Sequence, residues 1–342
     1  MFNSIRKSVL ALAALATLAT ASIAQAETLI NGAGATFPYP IYSKWFSEYA
    51  KIDRSVKFNY QSIGSGGGIK QIQAQTVDFG ASDKFLSDAE LKGMPGKLLH
   101  IPTVMGAVVV TYNIPGAGKG LKLTPEALAG IYEGKITTWN APQIARDNAG
   151  LKLPNKPIIV VHRSDGSGTT NIFTDYLSSV SPEWAKKVGK GTSVNWPVGL
   201  GGKGNEGVSG QVKTTPYSVG YVELAYAFEN KLPYAFLKNK AGQFVEPSIA
   251  STTAAAAGAA KSMPADYRVS LVNQPGKNAY PIAGFTWLLV YQDQRDKAKG
   301  KKLVEFLEWE LKHGQKMASQ LLYAPLPGNV VKMLQKTIKT IH

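Results

Sequence analysis

Residues 158–171 read Ile158-Ile159-Val160-Val161-His162-Arg163-Ser164-Asp165-Gly166-Ser167-Gly168-Thr169-Thr170-Asn171. The first five are mostly apolar and β-branched, the pattern of a strand buried on both faces. A glycine-rich turn follows, and the chain continues as a helix over residues 171–179. A strand that runs through such a turn into a helix is the repeating unit of α/β proteins.

The same alternation extends in both directions. Residues 38–51 place Ile41, Trp45, Phe46 and Tyr49 at helical spacing, and residues 56–62 alternate as a strand. A short helix is expected over 69–75 and a buried strand over 77–81, leading into Ser82-Asp83. Residues 104–112 form an unbroken apolar strand. Thr124-Pro125-Glu126 starts a helix that runs to Tyr132, because Thr caps and Pro is tolerated in the first turn. Further strands are expected over 218–224 and 285–291, and helices over 252–261 and 301–313. Residues 199–210 read as the longest irregular segment.

The turn at 163–169 has two counterparts, Gly32-Ala33-Gly34-Ala35-Thr36-Phe37-Pro38 and Ile63-Gly64-Ser65-Gly66-Gly67-Gly68. The first N–H groups of a helix have no partner inside it, and the aligned peptide dipoles put partial positive charge there. Glycine lets the backbone approach a ligand, and Ser or Thr adds a neutral hydroxyl donor. One such turn is most simply a capped helix. Three of them suit an anion, provided that the fold brings them together. Arg163 adds a fork of donors fitted to an oxyanion, and Asp165 is spaced either to orient it or to cap the helix. Asp83 is unexpected in this company. An ionised carboxylate only accepts, so beside an anion it is tolerated if the ligand itself brings a proton; otherwise it is an ordinary strand-end Asp in a turn.

The ends and the composition bound the setting. Arg6 and Lys7 precede an apolar run over residues 8–20, and Ala24-Gln25-Ala26 has the small-x-small pattern of a signal-peptidase site. The run is shorter than the ~20 residues that span a bilayer. A cleaved leader over residues 1–26, a mature chain from Glu27 and a periplasmic location are expected. The chain has no Cys, which excludes disulfides, thiolate metal sites and a lipid anchor through cysteine. Removing Arg6 and Lys7 takes the formal net charge from +15 to +13. The basic residues are scattered, with no clustered face interleaved with aromatics, so nucleic acid is not expected as a partner.

At these residues the chain resembles the periplasmic phosphate-binding proteins of the phosphate-specific ABC importer, the PstS family. The resemblance runs through residues 31–38, 77–83 and 163–169, then through Trp196-Pro197-Val198-Gly199-Leu200-Gly201-Gly202-Lys203-Gly204-Asn205 and Val219-Gly220-Tyr221-Val222-Glu223. It covers nearly the whole chain. It implies an α/β, two-lobed Venus-flytrap fold of the type II periplasmic-binding-protein class, with a two-strand hinge. The first lobe would comprise residues 27–104 and 281–342, the second residues 105–280. Carried over by motif, Thr36, Phe37 (through its N–H), Ser65, Arg163, Ser167, Gly168 and Thr169 would bind phosphate. Asp83 would accept the ligand's proton and Asp165 would hold Arg163. Fully ionised sulfate would leave Asp83 unpaired, which is a basis for discrimination. Gly66 stands where some relatives have a second Ser, so no hydroxyl contact comes from that position. The implied partners are inorganic phosphate and the transmembrane permease, for a monomer without cofactor, metal or catalysis.

Other classes fit less well. A Ser-nucleophile phosphatase would have to use Ser167, which lies in Gly-Ser-Gly and not in a Gly-x-Ser-x-Gly elbow, with the neighbouring His162 as base. The four His residues show no metal-ligand spacing. Gly199-x-Gly201-x-x-Gly204 matches a dinucleotide fingerprint in letters, but no strand-to-helix context is evident around it. A binder of another oxyanion, such as sulfate or molybdate, meets the objection of Asp83. An adhesion or structural role has no repeat or low-complexity region to support it.

Overall fold

The computed structural model describes residues 27–261 and 263–342; the expected leader lies outside them. Eleven strands are found among the described residues: β1 (Thr28–Gly34), β2 (Val56–Ser62), β3 (Phe79–Ser82), β4 (Leu98–Asn113), β5 (Lys122–Leu123), β6 (Ile159–Arg163), β7 (Leu200–Gly202), β8 (Ser218–Glu223), β9 (Phe236–Lys238), β10 (Phe244–Val245) and β11 (Ala283–Tyr291). Four helices frame the argument that follows: α1 (Tyr39–Ile52), α2 (Ser65–Gln73), α3 (Gly168–Val180) and α4 (Gly204–Thr214).

β4 organises the molecule. Its 16 residues are almost all buried, and at ~3.3 Å per residue it is about 50 Å long. Through Ala107 it pairs antiparallel with β11, and from Val108 onward it pairs antiparallel with β8. The strand order is β2-β1-β3-β11-β4-β8-β6-β7, with β5, β9 and β10 in a separate small sheet. One half therefore gathers β2, β1, β3 and β11 around the start of β4, and the other gathers β8, β6 and β7 around its end. The chain returns to the first half beside β4, where Val108 N–H donates to Ile282 O at 2.8 Å. Within each half the core strands are parallel, β1 with β2 and β3, and β6 with β7 and β8. The inner strands β3, β6 and β8 are largely buried, whereas β2, at the sheet edge, alternates between buried and exposed residues.

Local chemistry explains the helices. α1 buries Ile41, Tyr42, Trp45 and Tyr49, and Trp45 Nε1 donates to Gly314 O at 2.9 Å. Thr124 caps the helix Pro125–Tyr132 through Ala127 N–H, as its sequence predicts. Two elements differ from expectation. α2 starts at Ser65, inside the glycine run, because Gly68 lets its backbone lie against β1. Residues 199–210 are largely ordered into β7 and α4. Glycine costs a helix ~1 kcal/mol per residue relative to Ala. Here Gly202 and Gly207 pack backbone to backbone, and Val208 and Val212 are fully buried against Gly220. Packing overrides propensity.

The tightest of these approaches is testable. A Cβ at Gly68 would lie 2.5 Å from Gly34 Cα and 2.6 Å from Ala33 O, both backbone atoms. Gly68→Ala should therefore cost ~1–3 kcal/mol of stability, read by chemical denaturation. Wild-type stability would show that α2 can shift freely.

Candidate anion site

Three strand ends build the site. β1 ends at Gly34, whose φ of +149° and contact with Ala81 O exclude a side chain. Ala35 N–H donates to Ala81 O at 2.9 Å, which turns residues 35–38 into α1. Thr36 and Phe37 are held from behind: Tyr226 Oη donates to Thr36 O and Tyr323 Oη to Phe37 O, both at 2.6 Å. β2 leads to Gly64, with φ of +89°, and then into α2 at Ser65. β6 ends at Arg163, and Ser167 caps α3 by accepting Thr170 N–H at 2.9 Å. The N–H groups of Thr36, Phe37, Ser65, Gly168 and Thr169 have no hydrogen-bond partner among the described residues. Those of Ser65, Gly168 and Thr169 are the orphan donors that helix starts leave, and those of Thr36 and Phe37 lie in the turn just before α1.

The three turns converge across the two halves. Gly66 N–H donates to Gly166 O at 2.7 Å, and a Cβ at either glycine would crowd the other's backbone. Asp83 N–H donates to Ser65 Oγ at 3.1 Å. A side chain at Gly168 would collide with both Ser65 Oγ and Asp83 Oδ2, so these three residues meet at one point. Arg163 donates from Nε to Asp165 Oδ1 at 2.8 Å and from Nη2 to Asp165 Oδ2 at 2.5 Å, and Nη1 reaches Thr169 Oγ1 at 3.3 Å. Asp165 Oδ1 also accepts Gly204 N–H at 3.0 Å, tying the start of α4 to the same cluster. Ser65, Asp83, Arg163, Asp165, Gly168 and Thr169 are thus brought together, Thr36 joins them through Asn205, and Phe37 and Ser167 are their neighbours in the chain.

Two further residues belong to the cluster and went unassigned in the sequence. Asn205 donates to Thr36 Oγ1 from its backbone N–H at 3.2 Å and from Nδ2 at 2.7 Å, spanning the cleft. The signal for it was the rule that found the other three turns, a glycine-rich loop opening into a helix, once residues 204–214 are recognised as helical. Thr286, fully buried on β11, lies beside Asp83. Nothing in its local sequence marks it. The sequence alternatives fare differently. His162 stacks on Trp196, with ring centroids 4.8 Å apart, and its Nδ1 lies 3.0 Å from Arg163 O. That is a packing role. The 199–204 motif does adjoin a strand and a helix, contrary to expectation, but β7 lies inside the motif instead of preceding it.

Electrostatics single out Asp83. It is 2% exposed and its Oδ1 has no partner among the described residues. Burial pushes its carboxyl up to about 7, against the opposing pull of the Thr286 hydroxyl, the Arg163 charge and the Ser65 hydroxyl. Asp165 shows the opposite outcome. Burial would raise it, but its hydrogen bonds and charge contact with Arg163, with Gly204 N–H, hold it below the usual carboxylate range. The raised group gives a pH signature. Folded Asp83 keeps its proton up to about pH 7, whereas the unfolded chain loses it near the ordinary value of 3.8. Stability from this residue is present at low pH and is lost as pH rises toward 7. Relative to ligand-free Asp83→Asn, wild type should lose on the order of 2–3 kcal/mol between pH 5 and pH 8, measured by denaturant unfolding. A pH-independent difference would mean that Asp83 titrates normally.

Comparisons with known proteins agree with this geometry. Residues 19–310 match the model of a PBP superfamily domain. The chain is 50% identical over 317 residues to the phosphate-binding protein PstS of Pasteurella multocida strain Pm70, covering 92% of this chain and 91% of that one. It is 47% identical over 325 residues to PstS of Haemophilus influenzae strain ATCC 51907 / DSM 11121 / KW20 / Rd, covering 95% and 96%. Among solved structures, a phosphate-binding protein from Stenotrophomonas maltophilia superposes with a TM-score of 0.70 at 23% identity, over 91% of this chain and 94% of that one. A high-affinity periplasmic phosphate-binding protein solved with phosphate at pH 8.5 gives 0.70 at 23% identity, over 90% and 93%. The two-lobed α/β fold is that of these periplasmic binding proteins, and the chain belongs to the PstS family of phosphate-binding proteins within the PBP superfamily.

Proposed function

We propose that this protein captures inorganic phosphate between two closing lobes in the periplasm and delivers it to the transmembrane permease of an ABC importer, acting as a monomer and without catalysis. The observation that carries this reading is the meeting of donors from both halves, with Arg163 among them, around one buried proton acceptor, Asp83. Thr36 and Phe37, Ser65, and Arg163 with Ser167, Gly168 and Thr169 supply the donors. Asp83 takes the ligand's O–H, and Asp165 orients Arg163. An anion buried among oriented neutral dipoles and one guanidinium is stabilised without a surplus of buried charge.

The lobes divide at about residues 104–105 and 280–281. The exchange of β4 partners between Ala107 and Val108, beside Ile282, supports hinge strands at this place. No helix among the described residues is long and apolar enough to cross a membrane. The leader read from the sequence accounts for export, and closure supplies the shape that the permease recognises.

Calorimetric titration of protein stripped of ligand should show one-to-one binding of phosphate and no heat with sulfate. Asp83→Asn presents an amide donor where the carboxylate accepts, so its discrimination of phosphate over sulfate should fall at least ~10-fold. Equal binding of both anions by wild type would discard the acceptor role of Asp83, and binding of neither would discard the anion site.

A further inference from the structure

Asn205 is fully buried at the start of α4, and the orientation of its amide follows from its partners. Its Oδ1 accepts Glu223 N–H at 3.0 Å, and a backbone N–H can only donate. The Nδ2 hydrogens therefore face Thr36 Oγ1 at 2.7 Å and Thr169 Oγ1 at 3.3 Å. Each hydroxyl meets a second donor: Asn205 N–H at 3.2 Å from Thr36 Oγ1, and Arg163 Nη1 at 3.3 Å from Thr169 Oγ1. A hydroxyl has two lone pairs and one proton. With both lone pairs facing donors, it can engage a third group only by giving its proton.

We propose that Asn205 sets the hydrogen-bond polarity of the anion site, committing the hydroxyls of Thr36 and Thr169, on opposite sides of the cleft, to act as donors only. The inference rests on the assignment of these two residues as phosphate contacts. It makes Asn205 a positioning residue that determines where the ligand's proton can go. Unprotonated phosphate oxygens are required at Thr36 and Thr169, and a ligand O–H is directed to Asp83. Free hydroxyls would lack this effect, because a hydroxyl that can accept as well as donate tolerates a protonated oxygen equally well.

Asn205→Asp tests the polarity directly, since an ionised carboxylate offers no donor. It would draw a hydroxyl proton to itself and turn a lone pair toward the phosphate; protonation of Asp at 205 restores a donor. Phosphate affinity is measured by calorimetry from pH 5.5 to 8.5 for wild type, Asn205→Asp and Asn205→Ala. The Kd ratio of Asn205→Asp to wild type should be roughly 100-fold at pH 8.5 and fall severalfold toward pH 5.5. The ratio for Asn205→Ala, which leaves the backbone N–H and Arg163 in place, should be smaller and independent of pH. A ratio for Asn205→Asp that does not change with pH, whatever its size, overturns the proposal. Thr36→Val separates the two levels. Wild-type affinity in that variant removes the site assignment itself, whereas reduced affinity together with a flat Asn205→Asp ratio removes only the polarity role. If Asn205→Asp fails to fold, neutron diffraction from the wild-type phosphate complex reads the same point. Hydroxyl hydrogens of Thr36 and Thr169 directed at phosphate oxygens support the proposal, and hydrogens directed at Asn205 overturn it.

Discussion

Arg163 can lie buried at the end of β6 because Asp165 grips it through two parallel hydrogen bonds. Desolvating a guanidinium alone would cost several kcal/mol. The bidentate pair offsets that cost and fixes the plane of the fork, so that Nη1 points to Thr169. Much else depends on this pair. Asp165 also receives Gly204 N–H, which anchors α4 and therefore Asn205. A side chain at Gly64 would collide with Asp165 Oδ2, so the approach of the opposite half is shaped around the same carboxylate.

The sheet places the cluster where α/β proteins usually bind ligands, beyond the carboxyl ends of strands. β1 ends at Gly34, β3 at Ser82, β6 at Arg163 and β8 at Glu223, and each end feeds the cluster. Since β4 threads both halves, a small change of angle along it and the adjoining return at Ile282 can open or close the cleft between them. What meets around the site is largely backbone, glycine and small hydroxyl side chains, joined by the Tyr226 hydroxyl on Thr36 O and by Ile172 packed on Gly284.

Selectivity in such a site comes from accounting for protons more than from charge. The donors outnumber the acceptors, and the one unpaired buried acceptor among the residues assigned to the ligand is Asp83 Oδ1. A buried acceptor left without a donor is expensive, so a tetrahedral anion that brings a proton is favoured over one of equal size that does not. The raised titration of Asp83 and the depressed titration of Asp165 arise from one contrast: the first carboxylate is buried without a full complement of partners, and the second has one guanidinium bonded to both of its oxygens.

Much of this was legible in the chain itself. The alternation of strands and helices, the three glycine-rich helix starts, the fork of Arg163 with Asp165 and the anomalous Asp83 are local patterns, because they follow from φ, capping and periodicity over a few residues. α4 was not legible. Its glycines disfavour a helix in isolation, and only the close packing of Gly202 on Gly207 and the burial of Val208 and Val212 make it stable. With that helix hidden, Asn205 was hidden too. Thr286 was invisible for a different reason, since its relevance to Asp83 depends on β11 returning from far along the chain to lie between β3 and β4. The sequence by itself determined the fold class, the kind of ligand the turns could hold and the chemistry of each turn, because these depend on short-range geometry. Only the tertiary structure decided that the turns meet, which donors face the Thr36 and Thr169 hydroxyls and how far Asp83 is shifted, because those depend on burial and on partners distant in sequence.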